Sequence, residues 1–180
     1  MKKLFDELPY LEDERIVLKK IEEKDAKAIR EMTESSEVYR YLPTFLFELQ
    51  YEDIRQMIRE LYGDLFYRKE SLILGIYLKE SLSFCGMAEF YGYKDSIHKV
   101  CIGYRLMKEY WGQKLATRAV RLMVDYLYSQ TDIEIITAST MIENKASARV
   151  LQKNDFIMTA EAVAEDWGYE KAVLADKWFR

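Results

Sequence analysis

Residues 99–120, KVCIGYRLMKEYWGQKLATRAV, carry the chain from an alternating apolar run, through a loop with one glycine, into an amphipathic helix. Lys99 to Met107 reads as a central strand. Beyond the loop, Leu115, Ala119, Leu122, Met123, Tyr126 and Leu127 recur on one helical face. A strand, a glycine loop and a helix start can hold a phosphate, because the first helical amides lack intrahelical acceptors and the helix dipole favours an anion. Gly112 is the only glycine in this loop, whereas phosphate-cradling loops are glycine-rich. The stretch therefore reads as a phosphate site with a part missing, or as an ordinary strand-to-helix turn.

Outward from this stretch, Arg15 to Lys20 predicts a first strand. Asp25 is placed to cap a helix carrying Ala28, Ile29 and Met32 that ends near Ser35 and Ser36. From Asp53, the apolar residues Ile54, Met57, Ile58, Leu61, Tyr62, Leu65 and Phe66 form one helical stripe. Ser71 to Lys79 and Ser81 to Tyr93 are rich in β-branched and aromatic residues and meet at a tight turn, a hairpin pattern. Ile133 to Ser139 reads as an apolar strand buried on both faces. Asn144 can cap a short helix through Lys153, and Phe156 to Glu165 with Glu170 to Phe179 reads as a closing hairpin turning at Trp167-Gly168. Helical crossovers among hairpins predict a mixed sheet with at least one parallel pair.

The composition narrows the function. The chain has 180 residues, 49% of them hydrophobic and 32% charged, enough for one domain with a substantial core. No apolar run approaches the roughly 20 residues of a membrane span, and the N-terminus lacks the apolar segment of a secretory signal. The net charge of −4, with no basic run longer than two residues, argues against nucleic acid. Cys85 and Cys101 have no histidine cluster beside them, which argues against zinc and for reduced thiols in a cytoplasmic protein. His98 lies in or beside a turn and reads as a surface residue.

Three segments carry a family resemblance: LEDERIVLKKIEEKDA (Leu11 to Ala26), IGYRLMKEYWGQKLATRAV (Ile102 to Val120) and ENKASARVLQKNDF (Glu143 to Phe156). Their order and separation resemble the GNAT superfamily of N-acetyltransferases, in particular the ribosomal-protein alanine N-acetyltransferase-like subgroup. The resemblance implies an α/β (α+β) fold over residues 1–180. Its mixed, mostly antiparallel central sheet would have about six or seven strands and about four flanking helices, with central strands splayed for acetyl-CoA. Two departures stand out. Lys114 occupies a position where the family prefers glycine; held at negative φ, it would keep its amide for the phosphates and add an ammonium. Asn154-Asp155 replaces the usual Leu-Gly at a helix end, and both residues tolerate the left-handed conformation needed there.

The resemblance also implies the chemistry. Acetyl would pass from acetyl-CoA, a cosubstrate, to a primary amine of a protein N-terminus or a small molecule by direct attack on the thioester. The alternative is a non-catalytic CoA-binding or regulatory domain. An α-amine titrates near ~8 and a lysine near ~10.4, so the attacking ammonium must first lose a proton. The coenzyme would be held by backbone amides near Leu106 and Met107 and by Trp111, Gly112, Gln113, Lys114, Leu115, Ala116 and Thr117, with Asn144 and Ser147 nearby. Ser147 is either the donor to the departing thiolate or a serine satisfying a first helical turn. Glu165, Asp166 and Glu89 are the candidates for the base, beside the option of no dedicated base. Tyr39, Tyr41 and Phe45 would wall the acceptor pocket, with core packing the alternative for at least one. No metal, nucleic acid or membrane is implied, and a homodimer is left open.

Overall fold

Alternation in the apolar runs builds a sheet whose two faces have different fates. In the computed structural model, which describes residues 1–180, the strands are β1 (Leu11–Glu12), β2 (Ile16–Lys19), β3 (Ser71–Leu78), β4 (Phe84–Lys94), β5 (Lys99–Leu106), β6 (Ile135–Met141), β7 (Ile157–Glu165) and β8 (Val173–Phe179). They form one sheet in the order β1-β2-β3-β4-β5-β6-β8-β7, and β5–β6 is its parallel pair. The eighth strand, beyond the expected count, is short β1. It folds back on β2 because the Asp13 carboxylate accepts the amides of Arg15 and Ile16 in the turn.

The helices are α1 (Ala26–Thr33), α2 (Ser36–Tyr39), α3 (Ile54–Leu61), α4 (Asp64–Tyr67), α5 (Leu115–Gln130) and α6 (Lys145–Lys153). The stripe starting at Asp53 is cut in two at Gly63, whose φ −100 and ψ −112 leave the helical region. Tyr62 leaves the stripe to donate to the Ile73 carbonyl and accept the Ile21 amide. Asp25 does not cap α1 with its side chain, because its carboxylate takes the Glu22 amide and the Tyr77 hydroxyl. Asn144 caps α6 by accepting the Ser147 amide at 3.2 Å. At the other end of α6, Asp155 takes the left-handed position at φ 61. Asn154 is buried there, and its amide donates to the Val150 and Thr117 carbonyls, tying α6 to α5.

Alternate residues of β3, β4 and β5 pack against α5 in a cluster of 27 buried side chains. Met123 and Leu127 of α5 are fully buried there, each contributing roughly 1.5–3 kcal/mol. The residues between them meet α1 and α3 through Ile73, Tyr77 and Met87. Those helices cover only part of the second face, and the rest floors a cleft. For this reason β6 is not buried on both faces: Ile136, Ala138 and Thr140 are buried, while Ile135, Thr137 and Ser139 are half-exposed. No helix is long and apolar enough to cross a membrane.

Candidate active site

The gap between β5 and β6 follows from hydrogen-bond phase. The Met107 amide donates to the Cys85 carbonyl at 2.8 Å. Antiparallel neighbours exchange bonds at alternate residues, so odd-numbered residues of β5 bond to β4. Tyr104 and Leu106 therefore turn their backbone groups toward β6. On β6, Ile136 exchanges bonds with Arg180, and the Ile142 amide reaches Leu174. The same alternation turns Ser139 and Met141 toward β5. Yet β5 and β6 pair only from Lys99↔Ile135 to Cys101↔Thr137 and then separate. Facing rows of backbone groups need partners; the Leu106 carbonyl takes the Trp111 indole, and an extended ligand carrying amides would suit the others. Leu106 thus faces the gap. Met107 does not, contrary to expectation: its amide is bonded within the sheet, and its side chain is buried among the residues packing α1 and α3. Opposite Leu106, a Cβ on Gly86 would lie 2.1 Å from the Arg105 carbonyl oxygen, so this close approach of β4 requires glycine.

At the end of the gap, a turn at Lys108–Tyr110 leads into the loop before α5. The amides of residues 112–117 donate to no other backbone group. Gly112 has φ 71 and Lys114 has φ 64. The negative φ expected for Lys114 is therefore overturned: left-handed residues curl successive amides into an anion-accepting concavity, and lysine adopts that conformation at a cost of roughly 1–2 kcal/mol. Lys114, Arg149 and Lys153 line the same end of the cleft and make it positive, with Trp111, Leu115, Ala116 and Thr117 also on its wall. The Trp111 indole donates to the Leu106 carbonyl at 2.9 Å. The Gln113 side chain turns away to the Glu109 carbonyl, so this position has only its amide to offer. Asn144 and Ser147 line the cleft where it meets α6. There the Ser147 hydroxyl accepts from the Tyr104 hydroxyl at 3.3 Å, and burial raises the Tyr104 pKa.

The cleft, about 1510 Å³ in volume, continues through the gap to the sheet's second face, where Tyr41 and Phe45 form part of its wall. Tyr39 packs instead with the core beneath α1 and α3 and donates to Glu48 at 2.9 Å. Glu165, at the end of β7, accepts from the Trp167 indole at 2.7 Å and is ion-paired with Lys177. Lys177 also donates to Ser139 at 3.0 Å. Asp166 is exposed at the rim, where it accepts the Gly168 amide. Glu89 accepts from Ser71 at 2.6 Å and from Arg105 at 2.7 Å. Sequence reasoning missed Glu48, Ser71, Tyr104, Arg105 and Lys177. The available signal was alternation: Arg105 lies in phase with Cys101 and Gly103, opposite the apolar Ile102 and Leu106.

Residues 15–157 match the family model for the acetyltransferase (GNAT) domain. The chain is 28% identical over 171 residues to the uncharacterized N-acetyltransferase YoaA of Bacillus subtilis (strain 168), with 93% of each chain covered. Among solved structures it resembles a GNAT-family acetyltransferase from Bacillus anthracis, with TM-score 0.80, 22% identity and coverage of 96% of this chain and 98% of that one. It also resembles the spermidine N-acetyltransferase from Vibrio cholerae in complex with CoA and spermine, with TM-score 0.76, 15% identity and coverage of 93% and 96%.

Proposed function

The chain belongs to the acetyltransferase (GNAT) family, and from that membership we propose that it transfers acetyl from acetyl-CoA to a primary amine by direct attack on the thioester. The observation that carries this reading is the β5–β6 gap, which leads from the orphan amides of residues 112–117 to the acceptor cleft. The amides and the ammonium of Lys114 suit a diphosphate, and the facing backbone rows suit the amide-bearing pantetheine arm.

In this reading the Leu106 amide polarises the thioester oxygen as negative charge develops on it. The amine forms the new C–N bond, the C–S bond breaks, and no covalent enzyme intermediate is needed. Glu165 takes the proton lost by the attacking amine, directly or through water. Ser147, oriented by Tyr104, donates a hydrogen bond to the departing thiolate, while its own amide remains with Asn144. Tyr41 and Phe45 flank the incoming amine, which belongs to a protein N-terminus or a small molecule.

Calorimetric titration with acetyl-CoA and with CoA, followed by thiol-release assays on peptide N-termini, polyamines and aminoglycosides, tests the proposal. Heat from both ligands and thiol release with at least one amine are the expected results. No heat from either ligand with folded protein overturns the proposal. Binding without turnover on any amine favours a non-catalytic CoA-binding or regulatory domain, a reading to which the Lys177 ion pair on Glu165 lends weight.

A further inference from the structure

Three charged side chains, far apart in sequence, meet beneath the acceptor cleft. Glu48 comes from the segment between α2 and α3, Glu89 from β4 and Arg105 from β5. Arg105 is 4% exposed and Glu48 is 1% exposed. The guanidinium spans both carboxylates: Nη1 donates to Glu89 at 2.7 Å, Nη2 donates to Glu48 at 2.7 Å, and Nε lies 2.5 Å from the other Glu48 oxygen. Tyr39 completes the shell of Glu48, and Ser71 completes that of Glu89. Two carboxylates share one guanidinium, so the cluster carries one excess negative charge.

The two carboxylates are not equivalent. Glu48 is sealed, whereas the Glu89 side chain is 12% exposed and lines the cleft. Glu89 lies opposite Gly103 on β5, which has no side chain to cover it. A Cβ built at Gly103 would meet only the edge of the Tyr91 ring, at 3.5 Å. Elsewhere on the cleft wall, the ammonium of Lys177 is committed to Glu165. A charge held out of water without compensation is costly, and a cation in the cleft would offset it. Along β5, Gly103 lies three residues from Leu106, a separation of about 10 Å. Glu89 is thus displaced along the sheet from the Leu106 amide, toward the part of the cleft an acceptor would occupy beyond its attacking nitrogen.

We propose that Glu89, fixed and aimed by Arg105, Glu48 and Ser71, is a specificity residue that binds a second positive charge on the acceptor, so that a diamine-type cation is preferred over a monoamine. The assignment of the first nitrogen rests on the acetyl-transfer reading; the cation site itself does not.

Calorimetry of the CoA-saturated protein with 1,5-diaminopentane and with n-pentylamine tests this, alongside thiol-release kinetics with the same pair. The wild type is expected to bind the diamine at least about tenfold more tightly. Glu89→Gln should abolish the difference between the two amines. Should that variant not fold, Glu89→Asp, which withdraws the charge, is expected to weaken the preference. Equal affinity of the wild type for the two amines overturns the proposal, as does an undiminished diamine preference in Glu89→Gln or Glu89→Asp. Diamine preference without acetyl transfer defeats the catalytic reading and leaves the subsite standing. Thiol release with equal KM for both amines does the reverse.

Discussion

Lys114 combines two effects that substitution can separate. Its φ of 64 imposes backbone strain, and its ammonium stands at the anion-accepting loop. Lys114→Ala and Lys114→Gly both remove the charge, but only glycine relieves the strain. A left-handed alanine costs roughly 1–2 kcal/mol relative to glycine, and the greater unfolded-state entropy of glycine returns roughly 0.5–1 kcal/mol. The glycine variant should therefore be the more stable of the pair by about 0.5–1 kcal/mol. For a domain of this size that corresponds to a Tm difference of about 1–4 °C. Coenzyme binding should respond differently. Both variants lose the same exposed charge, worth about 0.3–1 kcal/mol near a helix start, or roughly a two- to fivefold rise in Kd for CoA. That rise should shrink in high salt. Thermal melts without ligand and calorimetry with CoA at two salt concentrations read the two effects separately. Identical melting of the alanine and glycine variants would refute the left-handed backbone; unchanged CoA affinity at low salt would refute the role of the ammonium.

Gly86→Ala should destabilise by about 3 kcal/mol in urea titration, because relieving the overlap with the Arg105 carbonyl requires β5 backbone to move; a loss below about 1 kcal/mol would contradict the close approach. Burial holds the Cys85 thiol up to about 11, and Cys85 is fully buried while Cys101 is half-exposed. A thiol reagent at pH ~8 should thus label Cys101 in the native protein and Cys85 only on unfolding, as peptide mass spectrometry would show. A raised folded pKa contributes stability that is fully present below the unfolded value of about 8.5 and is lost as pH rises toward about 11. Melting should decline over that window, and Cys85→Ala should flatten the decline. Glu165→Gln should lower kcat/KM by about a hundredfold with the Kd for CoA unchanged; a drop confined to coenzyme affinity would remove Glu165 from the proton's path.

The elements that could be read from sequence are those whose causes are local. Asn144 caps α6 through an amide three residues away, and the stripe of α5 needs only its own periodicity. The break at Gly63 was hidden because Tyr62 leaves its helix for partners at Ile21 and Ile73, contacts that no local pattern encodes. The sign of φ at Lys114 was misread for a related reason. Residue type weights the left-handed region but does not decide it when a loop must turn a run of amides toward one point. The charged cluster was least legible of all, since Glu48, Glu89 and Arg105 meet only once β4, β5 and the segment before α3 are packed together.

Glu165 and Asp166 share a chemistry, and only the sheet's register separates them. Both are acidic and both end the same hairpin arm. A one-residue change of register exchanges their faces. The β7–β8 pairing shifts twice, between Met158 and Ala160 and again between Ala160 and Val163, and Ala162 takes φ 48. The amide of Ala162 is tied to the Asp176 carboxylate, which anchors the second irregularity. After these bulges Glu165 pairs with Val173 and its carboxylate meets Lys177 and Trp167, while Asp166 falls into the turn and holds the Gly168 amide. Bulges re-aim side chains near active sites, and here they set Glu165 against Lys177 and Trp167 while Asp166, also on the cleft wall, holds the turn. Shortening β7 by one residue at Ala162 should therefore move the effect of an acid-to-amide substitution on kcat from Glu165 to Asp166. If the effect stayed with Glu165, bulge register would not be what selects the acid.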